Sequence, residues 1–457
     1  MMNARQQPSI AFGTDGIRGN AQQFPFTDQA LYVLGRALAL WARHTYQVAK
    51  PTILIGMDTR VSGPRIKKAL VSGLTSQQAI VFDADVLSTP AVCNLVNSTD
   101  RFTAGIVISA SHNLYQDNGV KVFGAGRCKM SASDEQLIKQ YFDEQVLQGD
   151  DYNQSDFLIY EDFHQEARDL YQAQLLARFQ PNFLSGTTVV LDCAHGATYR
   201  IAPAIFRALG ATVYTVGTEP MGTNINDYCG STHPELLVEA VLKHRADIGF
   251  AFDGDGDRIV AVNRHGAIKD GDDMVALLST QPPYNEAQKV VGTVMSNQGL
   301  EAYLTSCGKQ LVRTSVGDKY VAQSLEQEGL LLGGEPSGHI IMRDYLATGD
   351  GVFVALRILE TIIATNNWDL ESFNKFPQVL VNVPVAYKTS LDQQPFTNII
   401  QHHAAQLGSG RLLVRYSGTE PVLRVMTEAS QYDIAHEVAH ELAVQLQQAL
   451  SLASQTK

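Results

Sequence analysis

Apolar and polar residues alternate along the chain in blocks that predict helices and strands in turn. Apolar residues recur at helical spacing through residues 28–44, which predicts an amphipathic helix. The buried face of this helix would carry Leu31, Leu34, Leu38 and Trp41. Thr27 is the predicted N-cap, because its side-chain oxygen can accept a hydrogen bond from the first turn. A short apolar run over 53–58 follows and is typical of a buried strand.

The same alternation continues through the middle of the chain. Strands are predicted within 106–108, 186–196, 211–217 and 246–258, and a helix is predicted over 201–210. Strands that alternate with helices favour an α/β fold with mostly parallel sheets.

Polar stretches interrupt this pattern and predict domain edges. Residues 145–160 are polar and acidic, and residues 366–376 separate an apolar helix from a new section. The last section, 377–457, is predicted to contain a strand–loop–strand segment and a final amphipathic helix. A chain of 457 residues is long enough for roughly three or four domains.

Composition narrows the class of protein. The net charge of −12 argues against a general nucleic-acid binder, because such proteins concentrate positive charge. The five cysteines never form a C-x-x-C pair, which argues against a disulfide framework and a cysteine zinc site. The N-terminus lacks an apolar signal region, and no apolar run is long enough to cross a bilayer. We therefore expect a soluble cytoplasmic protein with reduced thiols.

The segment DGDGDR, residues 253–258, follows an apolar strand and carries three alternating carboxylates. Alternate residues of an extended loop point the same way, so Asp253, Asp255 and Asp257 would converge and need a cation between them. Oxygen ligands suit Mg²⁺ or Ca²⁺. An EF-hand loop is excluded, because its sixth and twelfth positions would be Arg258 and Arg264 rather than Gly and Glu. The alternative is a solvated acidic turn.

Two further segments combine glycine turns with arginine. The segment RYSGTEP, residues 415–421, offers hydroxyls, backbone amides and a guanidinium group, and Arg424 lies nearby. Such groups could together hold a phosphate. In FGTDGIRG, residues 12–19, two tight turns fix Asp15 and Arg18. An ordinary hairpin turn and an ordinary surface turn remain open as alternatives, because short motifs often match by chance.

The segment SASHN, residues 109–113, ends the strand over 106–108. It lacks a G-x-S-x-G elbow, which leaves a hydrolase with little support. Ser111 could instead carry a phosphoryl group, given a cation to neutralise charge and a base to take a hydroxyl proton. Lys121 is the first candidate for that base, with His112 and His339 as alternatives. GGEPSGHI, residues 333–340, could read sugar hydroxyls through Glu335 and Ser337, although loop residues of this kind are commonly only solvated.

These motifs together resemble the α-D-phosphohexomutase superfamily. FGTDGIRG (12–19), SASHN (109–113), DGDGDR (253–258), GEPSGH (334–339) and RYSGTEP (415–421) occur in the same order and extend over nearly the whole chain. The segments ISASHN, LDCAHGATY, NINDYCG, VMSNQGL and SGTEP look like its amino-sugar branch, whose product supplies UDP-N-acetylglucosamine and cell-wall precursors.

The resemblance implies an α/β protein of four domains around a central cleft. Three would be related α/β domains with mixed sheets, and the fourth a C-terminal α+β domain that binds phosphate. We set the boundaries at 1–158 for the serine loop, 159–256 for the metal loop, 257–372 for the sugar loop and 373–457 for the phosphate loop.

The resemblance also implies a role for each candidate residue. Ser111 would be phosphorylated, with Arg18, Lys121 and His339 near the reacting phosphoryl group. Ser111, Asp253, Asp255 and Asp257 would hold one Mg²⁺ per chain. Glu335 and Ser337 would bind sugar hydroxyls. The phosphate that is not transferred would be bound by Arg415, Ser417, Gly418, Thr419 and Arg424.

The implied reaction interconverts hexosamine 6- and 1-phosphates through a hexosamine 1,6-bisphosphate, which is also the activator. The expected partner is a small phosphosugar, without nucleic acid or membrane, and a homodimer is left open. The chain departs from the usual pattern at Leu114, Lys319 and Pro336, of which Pro336 puts substrate preference most in question. The alternatives are the phosphomannomutase/phosphoglucomutase branch, a metal-dependent phosphatase, and a non-catalytic sugar-phosphate binding protein on the same fold.

Overall fold

The computed structural model describes residues 9–149, 152, 160–385, 387–417 and 421–455, with side chains described through Leu452. The chain forms two compact units. Unit 1 contains the residues up to Thr293 together with Thr314–Glu371, and unit 2 contains Val294–Arg313 together with the residues from Ser372 onward. Much of the domain edge predicted at 145–160 lies outside the described residues, and the four domain boundaries remain predictions.

Unit 1 begins with a mixed sheet covered by helices. Its elements are β1 (Ile17–Asn20), α1 (Asp28–Tyr46), β2 (Thr52–Met57), α2 (Gly63–Ser76), β3 (Ile80–Val86), α3 (Thr89–Ser98), β4 (Ala104–Ile108), β5 (Asp117–Gly124), α4 (Ala132–Gln148) and β6 (Glu161–Asp162). In the described residues the strand order is β1-β5-β4-β2-β3-β6. Apolar residues of α1, α2 and the central strands pack together as the hydrophobic core of this part of unit 1.

A second mixed sheet follows. Its elements are α5 (His164–Leu176), β7 (Thr188–Asp192), α6 (Ile201–Ala208), β8 (Thr212–Val216), α7 (Glu235–His244), β9 (Ile248–Phe252), β10 (Ile259–Asn263) and β11 (Ile268–Lys269). The strand order in the described residues is β11-β10-β9-β7-β8.

The next elements in chain order are α8 (Gly271–Ser279), β12 (Lys289–Thr293), α9 (Gln298–Ser306), β13 (Gln310–Thr314), α10 (Asp318–Glu328), β14 (Leu332–Gly334), β15 (Ile340–Met342) and α11 (Gly351–Thr365). Strands β12 and β14 pair in parallel, and β14 and β15 pair antiparallel. Helix α9 and most of β13 belong to unit 2.

The C-terminal part of unit 2 is an antiparallel sheet packed against helices. It contains β16 (Gln378–Pro384), α12 (Phe396–Gln406), β17 (Arg411–Tyr416), β18 (Val422–Glu428) and α13 (Tyr432–Gln455). Strand β18 lies between β16 and β17 in the described residues. Apolar residues of α13, including Leu442 and Leu446, pack with Leu423 and Val425 of β18 to form the core.

The α/β class predicted from the sequence is confirmed, and individual elements agree closely. Helix α1 begins after Thr27, whose side-chain oxygen accepts a hydrogen bond from the backbone N–H of Ala30 at 3.3 Å. The mixed sheets that the resemblance implies are confirmed, with more antiparallel pairs than the alternation of strands and helices by itself indicated. Strands β4 and β9 are each followed by an antiparallel partner, β5 and β10, because short loops return the chain directly. Among the described residues, none of the helices has the length and apolar content that a membrane span requires.

Candidate active site

Three loops at the ends of buried strands carry most of the predicted site residues of unit 1, while Arg18 lies on β1 and Lys121 on β5. The loop after β4 holds Ser109–Ser111, the loop after β9 holds Asp253–Asp257, and the loop after β14 holds Glu335–His339. Lys121 lies on β5 opposite Val107 of β4, which explains how a residue ten positions beyond Ser111 reaches the same place. The structure therefore brings together residues that are more than 200 positions apart.

Ser111 is fully buried and its hydroxyl is turned toward the acidic loop. Its Oγ donates a hydrogen bond to Asp253 Oδ2 at 2.5 Å, and its backbone N–H donates to Ser109 Oγ at 2.9 Å. The backbone of Ser111 has a φ of 55°, in the left-handed region that residues other than glycine seldom adopt. Such strain at a single buried residue is common at functional sites.

The three aspartates meet as the sequence predicts. One carboxylate oxygen from each of Asp253, Asp255 and Asp257 lies within 4.8 Å of the others, and all three residues are buried. Burial, together with repulsion from Asp257 and Asp255, raises the pKa of Asp253 well above its ordinary value. Oδ1 of Asp255 and Oδ1 of Asp257 are buried without a hydrogen-bond partner. Buried oxygens that lack a donor are what a hard divalent cation would satisfy, so the donor set fits Mg²⁺.

Lys121 provides the positive charge at this cluster. Its Nζ lies 2.6 Å from Asp15 Oδ2 and 2.8 Å from one oxygen each of Asp255 and Asp257, and the side chain is buried. Burial by itself would lower the pKa of Lys121, but the three carboxylates outweigh it and hold this pKa well above its usual value. Lys121 is therefore an ammonium in this arrangement.

The two histidines near Ser111 differ in their surroundings. Nδ1 of His112 lies 3.5 Å from Ser111 Oγ, and burial, with the nearby charges of Arg258 and Arg18, lowers the pKa of His112 to about 4. His339 is buried, with its Nδ1 3.7 Å from Asp257 Oδ1. The backbone N–H of Gly349 donates to His339 Nε2 at 3.1 Å, which places the imidazole proton on Nδ1 facing the carboxylate.

A cavity of about 540 Å³ opens beside the cluster. Its lining includes Arg18, Arg258, Glu335, Ser337 and His339. Two guanidinium groups suit an anionic ligand, and the volume falls in the usual range for a small-molecule pocket, roughly 300–1,000 Å³. Glu335 is held in place because its Oε1 accepts a hydrogen bond from the backbone N–H of Gly317 at 2.9 Å.

Several residues of this network were not predicted as site residues. Lys129 Nζ lies 2.9 Å from Asp15 Oδ1 and also contacts Asp318. Because Asp15 also contacts Lys121, this chain of ion pairs continues to the acidic cluster. Asp15 stands inside a motif singled out from the sequence, but only Arg18 was expected to act there, and in the structure Arg18 donates to Asp15 at 2.7 Å. No sequence signal marks Lys129 or Asp318, because their contact depends on tertiary packing alone.

The predicted phosphate loop lies in unit 2, between β17 and β18. Arg415 and Arg424 are direct partners across these two strands, so both side chains leave the same face of the sheet. The Nζ of Lys388, which the sequence analysis did not select, donates to the carbonyl oxygen of the buried Ser417 at 3.0 Å. Gly418 and Thr419 lie outside the described residues.

Comparison with known proteins gives the same family along the chain. Four family models match: phosphoglucomutase/phosphomannomutase alpha/beta/alpha domain I at residues 9–148, domain II at 169–266, domain III at 270–377, and the C-terminal domain at 380–445.

The chain is also similar to curated proteins over almost its full length. It is 42% identical to the phosphoglucosamine mutase of Acinetobacter baumannii strain ACICU, with 91% of this chain and 94% of that protein covered. It is 40% identical to the phosphoglucosamine mutase of Zymomonas mobilis strain ZM4, with 93% and 96% covered.

Solved structures agree on the fold. A phosphoglucomutase/phosphomannomutase family protein from Burkholderia thailandensis superimposes with a TM-score of 0.76 at 22% identity, with 95% of this chain and 97% of that chain covered. An Aspergillus fumigatus N-acetylphosphoglucosamine mutase in complex with GlcNAc-6P and magnesium superimposes with a TM-score of 0.67 at 17% identity, with 98% and 97% covered. At these identities the likeness concerns the fold.

Proposed function

Because the chain belongs to the phosphoglucomutase/phosphomannomutase family, we propose that it interconverts glucosamine 6-phosphate and glucosamine 1-phosphate. Curated relatives at about 42% identity over more than 90% of the chain carry the name phosphoglucosamine mutase, which supports an isomerase of this kind. The observation that carries the chemistry is the hydrogen bond from the Ser111 hydroxyl to Asp253, inside a cluster of three buried carboxylates.

The proposed reaction is a two-step phosphoryl exchange on Ser111. A free hydroxyl of the sugar monophosphate attacks the phosphorus of phospho-Ser111, the P–Oγ bond breaks, and a bisphosphate forms. The bisphosphate then turns over within the site. Ser111 Oγ attacks its other phosphate, the bond between that phosphorus and the sugar oxygen breaks, and phosphoserine is regenerated as the isomer is released. A serine at the end of a strand suits this role, because the loop places its Oγ against the acidic cluster.

Ser111, Asp253, Asp255 and Asp257 are the residues we propose to hold Mg²⁺. The bound ion would neutralise charge on the phosphoryl oxygens during transfer. The unpartnered oxygens of Asp255 and Asp257 support this assignment. The raised pKa of Asp253 supports it too, because burial and the neighbouring Asp257 and Asp255 make the Asp253 carboxylate costly without a further cation.

The proton must leave the sugar hydroxyl and return to a leaving oxygen. Lys121, as an ammonium held by three carboxylates, is suited to donate a proton or to stabilise negative charge. His112 is neutral at pH 7 and lies beside Ser111 Oγ, so it suits the acceptor role. We assign Arg18 and His339 to the neighbourhood of the transferred phosphoryl group, because both line the cavity.

The remaining residues are proposed to hold the substrate. Glu335 and Ser337 line the cavity and would bind sugar hydroxyls. In unit 2, Arg415, Ser417, Gly418, Thr419 and Arg424 would grip the phosphate that is not being transferred. The cross-strand pairing of Arg415 with Arg424 supports this role, since it places two arginines, which suit phosphate, on one face of the hairpin.

The proposal also covers the cofactor, the activator and the cellular location. We assign one Mg²⁺ to each chain, a hexosamine 1,6-bisphosphate as intermediate and activator, and the cytoplasm as the place of action. A homodimer stays a prediction.

The function is tested by isomerisation assays on the purified protein with Mg²⁺ and a trace of hexose bisphosphate. Glucosamine 6-phosphate is compared with the phosphates of mannose and glucose. We expect strong preference for the amino sugar. Preference for a neutral sugar would place the activity in the phosphomannomutase/phosphoglucomutase branch. Release of inorganic phosphate would indicate a phosphatase, and no turnover with unphosphorylated Ser111 would indicate a binding protein.

A further inference from the structure

Two backbone carbonyl groups next to Ser111 are held from outside the serine loop. The carbonyl oxygens of Ser111 and Asn113 each accept hydrogen bonds from the side chains of Arg60 and Asn226. Neither donor lies in the acidic cluster or among the residues that line the cavity. Their contacts are therefore with the backbone that carries the serine and not with the reacting groups.

Arg60 forms the first half of this contact. Its guanidinium is buried, paired with Asp58 Oδ2 at 2.8 Å, and its Nη2 donates to the Ser111 carbonyl at 3.0 Å and to the Asn113 carbonyl at 2.7 Å. Asp58 in turn accepts a hydrogen bond from Ser109 Oγ at 2.6 Å. The Asp58–Arg60 pair therefore holds the loop on both sides of Ser111.

Asn226 forms the second half, from the loop between β8 and α7. Its Nδ2 donates to the Ser111 carbonyl at 2.8 Å and to the Asn113 carbonyl at 2.9 Å, and the residue is buried. The backbone N–H of Asn226 donates to the Ala194 carbonyl at 3.0 Å, which anchors the loop to the second sheet. A Cβ at Gly254 would lie 2.5 Å from the Ser111 carbonyl and 2.8 Å from Asn226 Nδ2, so only glycine allows this approach.

We propose that Asn226, together with Arg60, is a positioning residue for phosphoryl transfer. Ser111 occupies a strained left-handed conformation, which persists only where its surroundings enforce it. The two donors fix the carbonyl on one side of the Ser111 Cα, and this directs Oγ to the other side, onto Asp253. This inference rests on the proposed function, in which Ser111 carries the phosphoryl group.

Asn226 is the better residue to change, since removing Arg60 would leave the buried Asp58 carboxylate without its ion-pair partner. In Asn226→Ala, Arg60 still donates to both carbonyls, so we expect the protein to fold. Misplacement of a reacting group by about an ångström costs on the order of 100-fold in rate, so we expect kcat to fall roughly 10- to 100-fold. KM should stay within about twofold, because Asn226 does not line the cavity.

Asn226→Asp separates hydrogen bonding from packing. It keeps the side-chain shape but places a carboxylate oxygen against two carbonyl oxygens, so kcat should fall at least as far as in the alanine variant. It also leaves no cavity, and it serves as the test if the alanine variant does not fold.

Asn224→Ala is the matched control. Asn224 lies in the same loop, and its side chain hydrogen-bonds to the backbone of Glu219 and Met221 rather than to the serine loop in the described residues, so kcat should be unchanged.

The decisive measurement is the single-turnover rate at which phospho-Ser111, loaded from glucose 1,6-bisphosphate, passes its phosphoryl group to glucosamine 6-phosphate. Slow transfer in both Asn226 variants with normal transfer in Asn224→Ala supports the inference. Transfer at the wild-type rate in Asn226→Asp would overturn it while leaving the proposed function intact. Failure of the wild-type protein to transfer at all would instead reject the proposed function.

Discussion

Lys121 supplies the positive charge of the site, since its ammonium contacts three carboxylates, of which Asp255 and Asp257 are buried. Lys121→Met should lower kcat by roughly 10²–10⁴-fold, the usual cost of losing a group that moves a proton. It should also lower the melting temperature, because a buried carboxylate that loses its partner costs about 3–5 kcal/mol. Steady-state kinetics and thermal unfolding provide the two measurements.

The control for Lys121 is Lys67→Met. Lys67 Nζ pairs with the buried Asp83 at 2.7 Å, in the same unit but away from the acidic cluster. This variant should lose stability and keep its kcat. Equal losses of kcat in both variants would show that the effect of Lys121 is only structural.

At the level of single residues, the sequence identifies most of the proposed chemistry. Ser111 and the three aspartates stand in motifs, because their spacing relative to strand ends is a local property, and Lys121 follows the serine motif by ten residues. Asp15, Lys129 and Asp318 form one ion-pair network from three distant positions, and contacts of this kind have no local signal.

At the level of elements, Arg415 on β17 tests the phosphate-binding hairpin. Arg415→Ala should raise KM by roughly 10-fold or more and change kcat less, because a charged hydrogen bond to substrate phosphate is worth about 1.5–3 kcal/mol. The measurement is the dependence of the initial rate on glucosamine 6-phosphate concentration.

Arg411→Ala is the control on the same strand. Arg411 pairs with Glu428 at 2.7 Å and donates to carbonyl groups of Val294 and Ser296, so its loss should lower stability. An unchanged KM in Arg415→Ala would count against the proposed phosphate loop.

The N-terminus of α11 gives a pH-dependent prediction. Asp350 is its N-cap and accepts hydrogen bonds from the hydroxyls of Tyr171 and Tyr345. Burial raises the pKa of Asp350 to about 6. As pH rises from about 4 to 6, the unfolded chain ionises at this carboxyl before the folded chain does, so stability falls by up to roughly 3 kcal/mol.

Asp350→Asn removes this titration and keeps a good N-cap residue. The melting temperature of the wild-type protein should therefore decrease relative to that of Asp350→Asn between pH 4.5 and pH 7. Other carboxyls titrate in both proteins and cancel in the comparison. A difference in melting temperature that does not change with pH would contradict the raised pKa.

Helix and strand positions were predictable where periodicity is strong. The face of α1 that carries Leu31, Leu34 and Leu38 is buried as expected, because helical spacing alone defines that face. The direction of β5 and β10 was not predictable in this way. Parallel and antiparallel partners share the same apolar pattern, and only loop length distinguishes them.

At the level of the whole molecule, the chain carries a net charge of −12, and acidic residues also outnumber arginines around the cavity. Arg18 and Arg258 line the cavity together with Asp15, Asp257, Asp318 and Glu335, so an anionic ligand there would bind at the two guanidinium groups. The composition therefore argues against general nucleic-acid binding and is compatible with a small anionic substrate.

Mg²⁺ should be required for turnover and should stabilise the folded protein. Chelation should abolish turnover and Mg²⁺ should restore it. Because the ion binds the folded state, Mg²⁺ should also raise the melting temperature. Asp255→Asn should lose most of this shift, whereas Asp100→Asn, a change at an exposed residue, should keep it. Full activity after chelation, or an equal thermal shift in both variants, would contradict the proposed metal site.

The central claim is that Ser111 carries the transferred phosphoryl group. The most direct test isolates protein labelled with ³²P on Ser111, mixes it with glucosamine 6-phosphate, and follows the label by chemical quench. Label should pass to a bisphosphate and then to glucosamine 1-phosphate at a rate that accounts for turnover. Ser111→Ala should neither take up label nor turn over, while Ser279→Ala, a change at another buried serine, should behave as wild type. Full isomerisation by Ser111→Ala, or label that stays on the protein, would contradict the claim.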